Sequence, residues 1–588
     1  MLIDRLRDLV GRQYRRGTVH APSAATSTKA APRRVISLSL VKNEQDIIEP
    51  FVRHNLRFVD CMIVLDNGSI DETRTILLEC ARELGSVIFA DSDEFKYTQS
   101  ERMTGLLHGC QSAFFADFVL LLDADEFISA SSRADFRAAL ETIPSGGIGL
   151  VPWRTFVVPP GNATEAAMNP PESIRWRRTT EQPTWKKAIL RLDGSYRPDL
   201  RIEQGNHTVT STSGEPLVSV DLDGIVLQHF PVRSHDQIAA KSVVAWMACL
   251  AKSQTARTDG ACFQWRDCFD LFTSSSTIDD QTLSKVSMCY AQYREAINWS
   301  TDIVEDRPPA DIRRKYSTGA FSTPIAVIGR SWERSLLPRP AFLTFERPEG
   351  VTAAASPRVS TAFDPVWHWD HLFVDIPPFR YFAEKYQPPS VLDLGCGIGA
   401  YLTLFNRLGS QSVFGVDGIP ANATVLGAKE YAVRDLSKSI DLRRTFDLVI
   451  CVEVVEHLEE QYEDQLLDTI ARHAGNRIIF SAAEPGQPGN GHINCKTISY
   501  WLERWASRGW VPDLMDSLGM RSLASLSWFC RNLLVLRQGN LDDHREALDV
   551  LGAIGARPFN WYGQLPGIRE APFIEPPPPL AGYTTSER

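Results

Sequence analysis

The chain has 588 residues, about four times the ~150 of a typical domain, so it divides into two or more folded units. Hydrophobic residues at 43% and charged residues at 23% are ordinary globular usage and exclude a mostly disordered or collagen-like chain. With 62 Lys+Arg against 72 Asp+Glu the net charge is -10, which removes nucleic acid as an expected partner, and no apolar run approaches the ~20 residues of a membrane span. Eleven cysteines without a CxxC pair read as reduced thiols of a cytoplasmic protein. Residues 1–34 reverse the bias, with eight Lys or Arg against two acids, and Leu2, Leu6, Leu9 and Val10 fall at helical spacing. A short basic helix touching the inner face of a membrane and a frayed helix running into a linker are both open there. Residues 1–32 are set apart as a tail.

The first domain is placed at residues 33–250. Val35 to Val41 and Met62 to Leu65 are β-branched, apolar runs that end in Lys42-Asn43-Glu44 and Asp66-Asn67-Gly68-Ser69, the pattern of buried parallel strands. Ser69 to Glu72 has the form of a capping box, with Ile76, Leu77, Cys80, Ala81 and Leu84 following at helical spacing. A strand at Val87 to Ala90, a helix through Met103 to Phe114 and a strand at Phe118 to Leu122 complete a β-α-β-α-β order, the last strand delivering Asp123-Ala124-Asp125-Glu126-Phe127. Ligands of such open sheets bind outside the carboxyl ends of the strands, here the ends that carry Glu44, Asp66, Asp123 and Asp125. Acids clustered there repel a bare diphosphate, so the cluster calls for Mg²⁺ or Mn²⁺ between carboxylate and phosphate.

These ordered segments resemble the motifs of family 2-like glycosyltransferases of the GT-A fold, Asp123-Ala124-Asp125 being similar to their DxD motif. The resemblance extends to Glu203-Gln204-Gly205-Asn206-His207 and to His229-Phe230-Pro231-Val232-Arg233-Ser234. It implies a nucleotide-sugar donor held by Lys42, Glu44, Asp66 and Asp123, a metal held by Asp123, Asp125 and His229, and inverting transfer to a glycan or lipid-linked acceptor. Such transfer needs a base for the acceptor hydroxyl, and Glu203 is the candidate.

Residues 251–330 hold Trp265, Phe269, Phe272, Tyr290 and Tyr293, which together with Trp246 suggest a helical appendage whose aromatics either form core or shape an acceptor groove. Prolines and an Ala/Ser run mark residues 331–362 as a linker. In the second domain, residues 363–537, Ser390 to Leu394 runs into Gly395-Cys396-Gly397-Ile398-Gly399-Ala400, and Asp417 ends the next strand near the ~20-residue offset of a ribose-binding acid. Gly395, Gly397 and Ala400 alone also satisfy a dinucleotide fingerprint. Asp393 with Gly399 is instead similar to motif I of class I S-adenosylmethionine methyltransferases, and Tyr431 to Leu436, Phe446 to Cys451 and Ile478 to Ser481 follow in the matching order.

That resemblance places Asp393, Gly395, Gly397, Gly399, Asp417, Asp435 and Glu453 around S-adenosylmethionine, with Asp435 facing the adenine. Glu453-Val454-Val455-Glu456-His457 resembles the E-x-x-E-H segment with which ubiquinone-pathway O-methyltransferases bind a divalent ion, although these residues also suit simple helix capping. His492, in the loop Ala483 to Asn494, suits either a general base or a loop-orienting role. Residues 538–588 read as a Pro-rich tail. The expected architecture is α/β, with two Rossmann-like domains, a GT-A glycosyltransferase fold and a class I methyltransferase fold, joined by a helical and linker region. The expected function is sugar transfer and O-methylation in cell-surface glycoconjugate synthesis. The rival readings are a glycan-binding first domain feeding an active methyltransferase, and methylation of a small metabolite.

Overall fold

The protein is described as a computed structural model. It covers residues 33–92, 96–161, 163–212, 217–253, 262–274, 279–292, 297–309, 312–317, 321, 323–336, 343, 345–352, 364–370, 372–557 and 559. The basic N-terminal segment, Tyr293, much of the 331–362 linker and the Pro576 to Pro579 run lie outside the described residues.

The N-terminal unit is built from β1 (Val35–Val41), β2 (Cys61–Asn67), β3 (Val87–Ser92), β4 (Phe118–Leu121), β5 (Glu126–Ser129), β6 (Ile148–Val157), β7 (Trp176–Arg178), β8 (Lys186–Arg191), β9 (Leu200–Ile202), β10 (Val209–Ser211), β11 (Ser219–Asp221), β12 (Val226–His229) and β13 (Ile303–Glu305). The main sheet runs β13-β7-β6-β8-β4-β1-β2-β3, with β5, β11 and β12 attached beside β6. Strands β3, β2, β1 and β4 are parallel, and β8 joins β4 antiparallel. The parallel strands are nearly continuous apolar runs because both faces are buried: Val35, Ile36, Leu38 and Ile63 to Leu65 are at most 1% exposed. Order therefore reverses beside β1, the place where open sheets leave a crevice at their carboxyl ends.

The expected capping box is not formed. The helix Thr73–Leu84 starts at Thr73 after Glu72, and no side chain caps it. Ser69 instead accepts the Asn43 N–H at 2.8 Å and donates its hydroxyl to Asp66, so the turn is spent on joining two strand ends. Asn43 returns the contact by accepting the Ile70 N–H at 2.9 Å, and Thr73 accepts the Glu44 N–H at 2.7 Å.

Helices His235–Lys252, Phe263–Ser274 and Asp280–Cys289 form the appendage. Trp246 is fully buried there in a cluster with Cys249 and Cys262. Those two cysteines are joined by a disulfide, which corrects the expectation that all eleven are reduced; the other nine are free.

The C-terminal unit is a seven-stranded sheet in the order β16-β15-β14-β17-β18-β20-β19. Its strands are β14 (Ser390–Leu394), β15 (Ser412–Asp417), β16 (Tyr431–Val433), β17 (Phe446–Val452), β18 (Ala474–Ser481), β19 (Trp510–Pro512) and β20 (Leu534–Gln538). All pairs are parallel except β20 with β18 and β19. The fold extends past residue 537: the helix Leu541–Gly555 buries Ala547, Leu551 and Ile554. Arg531 fastens its end, donating to the carbonyls of Ile554, Gly555 and Arg557 at 2.6 to 2.8 Å. The segment 538–588 expected as a tail therefore includes a packed helix.

Candidate active sites

The carboxyl ends of β1 and β4 open into a cavity of about 490 Å³ lined by Lys42, Asn43, Glu44, Asn67, Asp123, Asp125 and His229 from the strand ends and loops. Lys241, Trp265 and Tyr290 close it from the appendage, so those two aromatics do shape the cavity while Trp246 is core. Five of the six residues expected to hold donor or metal, Lys42, Glu44, Asp123, Asp125 and His229, are thus brought together, and His229 stacks on Trp153 with ring centroids 4.3 Å apart.

Asp66 lies one residue off the wall. Its carboxylate accepts from Ser69 and is 1% exposed, and burial followed by the nearby Asp91 charge pushes its pKa up to about 7. Asn67 occupies the lining position instead. Glu203 is not in the cavity either: it is exposed and accepts the Thr210 hydroxyl at 2.6 Å, while its neighbours Gln204 and Gly205 reach the wall. That placement removes it as the acceptor base.

The carboxylates of the DxD segment are already ion-paired. Asp123 Oδ2 meets Lys187 Nζ at 2.6 Å, and Asp123 Oδ1 accepts from Asn206 at 2.9 Å and Gln99 at 3.2 Å. Asp125 Oδ2 accepts from Lys241 Nζ at 2.8 Å, and the same ammonium is 3.2 Å from Glu44 Oε1. Burial pulls the Lys241 pKa down, but Asp125 and Glu44 outweigh it and hold it above the ordinary lysine value. Arg233, fully buried, contacts Asp46 Oδ2 and Glu44 Oε2 at 2.6 Å each and so ties the first motif to the last. His229 Nε2 stands 3.8 Å from Asp125 Oδ1, and burial lowers its pKa to about 3, so the ring is neutral. Asp123 and Asp125 each give an oxygen to a lysine, and Asp123, Asp125 and His229 do not gather as a ligand set among the described residues. Sequence reasoning missed Lys187 and Lys241 because β8 and the helix His235–Lys252 carry no motif that announces them. Arg233 stood inside a quoted motif without a role.

In the C-terminal unit the turn after β14 carries Gly395, Gly397 and Gly399, with φ of 83°, 52° and 90°. A side chain at Gly395 would meet Val454 at 2.3 Å, and one at Gly399 would meet Leu426 at 2.5 Å. A Cβ at Gly397 would only touch His368, at 3.5 Å, without a clash. Asp417, at the end of β15, accepts the Gly397 N–H at 2.8 Å and the Ile419 N–H at 3.1 Å, fastening the turn to the neighbouring strand. Asp393 is buried at the end of β14, where burial and then the Asp417 charge raise its pKa. These features fit a ligand with a nucleoside moiety lying across the strand ends. Asp435 is exposed and accepts the Ser437 N–H at 2.9 Å, capping its own turn.

Glu453 accepts from Ser481, Gln487 and Asn532 at 2.5 to 2.9 Å, so its carboxylate is turned into the protein and orders the strand ends. Glu456 is fully buried, and burial together with Glu453 raises its pKa well above the carboxylate range. Among the described residues, Glu456, His457 and His492 are the group whose ligating atoms lie within 4.8 Å of one another. The His457 and His492 rings are 5.1 Å apart, and burial lowers the pKa of His457 to about 4 and that of His492 below its usual value. Two neutral imidazoles beside a buried carboxyl make a donor set that fits a divalent ion.

Residues 367–518 match the methyltransferase domain family. The ubiquinone biosynthesis O-methyltransferase of Rhodopseudomonas palustris is 35% identical over 79 residues, 12% of this chain and 30% of that protein. The mitochondrial enzyme of the same name from Schizosaccharomyces pombe is 29% identical over 190 residues, 28% of this chain and 62% of its own length. The chain thus spans about a third of the first of these relatives and under two thirds of the second. Among solved structures, an O-methyltransferase from a trans-AT PKS multienzyme of Brevibacillus brevis, in complex with S-adenosyl-L-homocysteine, is 14% identical with a TM-score of 0.26, covering 42% of this chain and 100% of that one. With the family match falling on the parallel sheet and its Gly-rich turn, the C-terminal part of this chain is a class I S-adenosylmethionine-dependent methyltransferase domain.

Proposed function

We propose that the chain is a bifunctional enzyme that moves a sugar from a nucleotide-sugar donor to a glycan or lipid-linked acceptor and O-methylates a sugar hydroxyl, in cell-surface glycoconjugate synthesis. The observation that carries the methyl-transfer half is the Gly395 to Gly399 turn fastened by Asp417. S-adenosylmethionine, when bound, supplies an activated methyl group, so the protein has mainly to position the acceptor and take a proton. Gly397 offers bare backbone for close approach, and Asp417 offers a carboxylate to ribose hydroxyls. His492, neutral and on the rim loop beside His457, accepts the proton of the acceptor hydroxyl. Were a divalent ion held by Glu456, His457 and His492 instead, it would lower the pKa of that hydroxyl, with His492 serving as ligand rather than as base.

The sugar-transfer half is supported by the cavity at the topological switch beside β1 and by Glu44, Asp123 and Asp125 around it. Incubation of the full chain with a nucleotide-sugar panel, followed by methyl-labelled S-adenosylmethionine, tests both halves. The expected result is turnover of one donor and label in the glycan fraction. Label recovered only in small metabolites, with no donor consumed, would refute the sugar-directed reading.

A further inference from the structure

We propose that nucleoside-diphosphate binding in the N-terminal cavity needs no divalent cation, because Lys187 and Lys241 already hold the Asp123 and Asp125 carboxylates and Lys241 presents positive charge to the ligand. The inference rests on the nucleotide-sugar reading of that cavity and replaces the metal which its acidic motif implies.

Lys187 enters from β8, is 1% exposed, and spends its ammonium on Asp123 Oδ2 at 2.6 Å, the Gly205 carbonyl at 2.8 Å and Glu126 Oε1 at 3.3 Å. Three acceptors use the three protons a lysine has. The Trp153 ring lies 5.4 Å from the same ammonium and closes it off. A cation taking Asp123 would leave that buried ammonium short of its closest partner.

Lys241 is built differently. It projects from the helix His235–Lys252 into the cavity with 22% of its side chain exposed. Contacts to Asp125 and Glu44 use two of its protons. The remaining N–H is available to a phosphate oxygen as a charge-assisted hydrogen bond. Lys42 and Lys96 line the same cavity. The acids that appear repulsive in the sequence are matched by cations from β8, from the appendage helix and from Arg233.

The test is calorimetric titration of the full chain with UDP, GDP and dTDP, in EDTA and in excess Mn²⁺. One nucleotide should bind with dissociation constants that agree within about twofold in the two media. Lys241→Met should weaken it roughly tenfold or more in both, the loss of one charged hydrogen bond, while Lys241→Arg retains binding. Binding seen only with Mn²⁺ would overturn the inference and leave the nucleotide-sugar reading intact. Equal loss in the Met and Arg variants, or no loss in either, would overturn it as well. Absence of binding for all three nucleotides in both media would overturn the inference together with the reading on which it rests.

Discussion

Single buried groups in the N-terminal unit set its response to pH. His54 and His108 are 7% and 0% exposed and bond through Nε2 to the carbonyls of Ile128 and Leu200, at 2.7 and 3.1 Å. Burial lowers both pKa values to about 4, against 6.5 for a free imidazole. The unfolded chain therefore binds protons that the folded one refuses. The contribution of each histidine to stability is complete above pH ~6.5 and is lost as the pH drops toward 4, to the extent of roughly 3 kcal/mol. Urea unfolding of His54→Gln, whose amide can still donate to Ile128, should show a shallower loss between pH 7 and pH 5 than the unaltered protein. An unchanged slope would contradict the assignment. The same scale explains the acids of the cavity: each takes its behaviour from a partner that is distant in sequence, as Asp125 does from Lys241.

At the scale of elements, much of the architecture was legible. The strands β1, β2, β3, β4, β14, β15, β17 and β18 announce themselves because parallel strands buried on both faces must be apolar runs. The motifs at their ends follow, since the polar residues stop where the cavity begins. Partners supplied by other elements were not legible. Lys187 lies in an ordinary strand, and no local pattern separates it from Lys186, whose ammonium pairs with Asp221 outside the cavity. Glu203 sits in a motif whose neighbours do face the cavity, yet it turns outward to the Thr210 hydroxyl. The Ser69 turn has the residues of a helix cap but meets a better acceptor in Asp66. The helix Leu541–Gly555 opens on the polar run Asp542 to Glu546, and its buried face, Ala547, Leu551 and Ile554 at i, i+4 and i+7, comes only after it. In the methyltransferase domain the glycines were legible because positive φ selects for them, whereas His492 joins Glu456 and His457 only through the folded rim loop.

For the molecule as a whole, the two units are docked. Arg74 bridges Asp91 and Glu384 at 3.0 and 2.6 Å, Arg380 reaches Asp91 at 2.6 Å, and Arg82 donates to the Glu384 carbonyl at 2.8 Å. The helices Gln99–Ser112 and Leu514–Leu523 cross so closely that a Cβ at Gly109 would lie 2.1 Å from the Ser522 carbonyl oxygen. The first of these helices also places Gln99 against Asp123 at the cavity, so one element touches both the N-terminal cavity and the methyltransferase domain. Gly109→Val should separate the units, giving two calorimetric unfolding transitions in place of one and a larger radius of gyration; a single unchanged transition would refute the tight crossing. The account stands most directly on the Gly395 to Gly399 turn as a cofactor cradle. Titration of the full chain with S-adenosyl-L-homocysteine measures this. One molecule bound per chain, with affinity reduced at least about tenfold in Gly395→Ala, where the new Cβ would strike Val454 at a φ of 83°, is the predicted result. No binding to the unaltered protein, or equal binding to the variant, would contradict it.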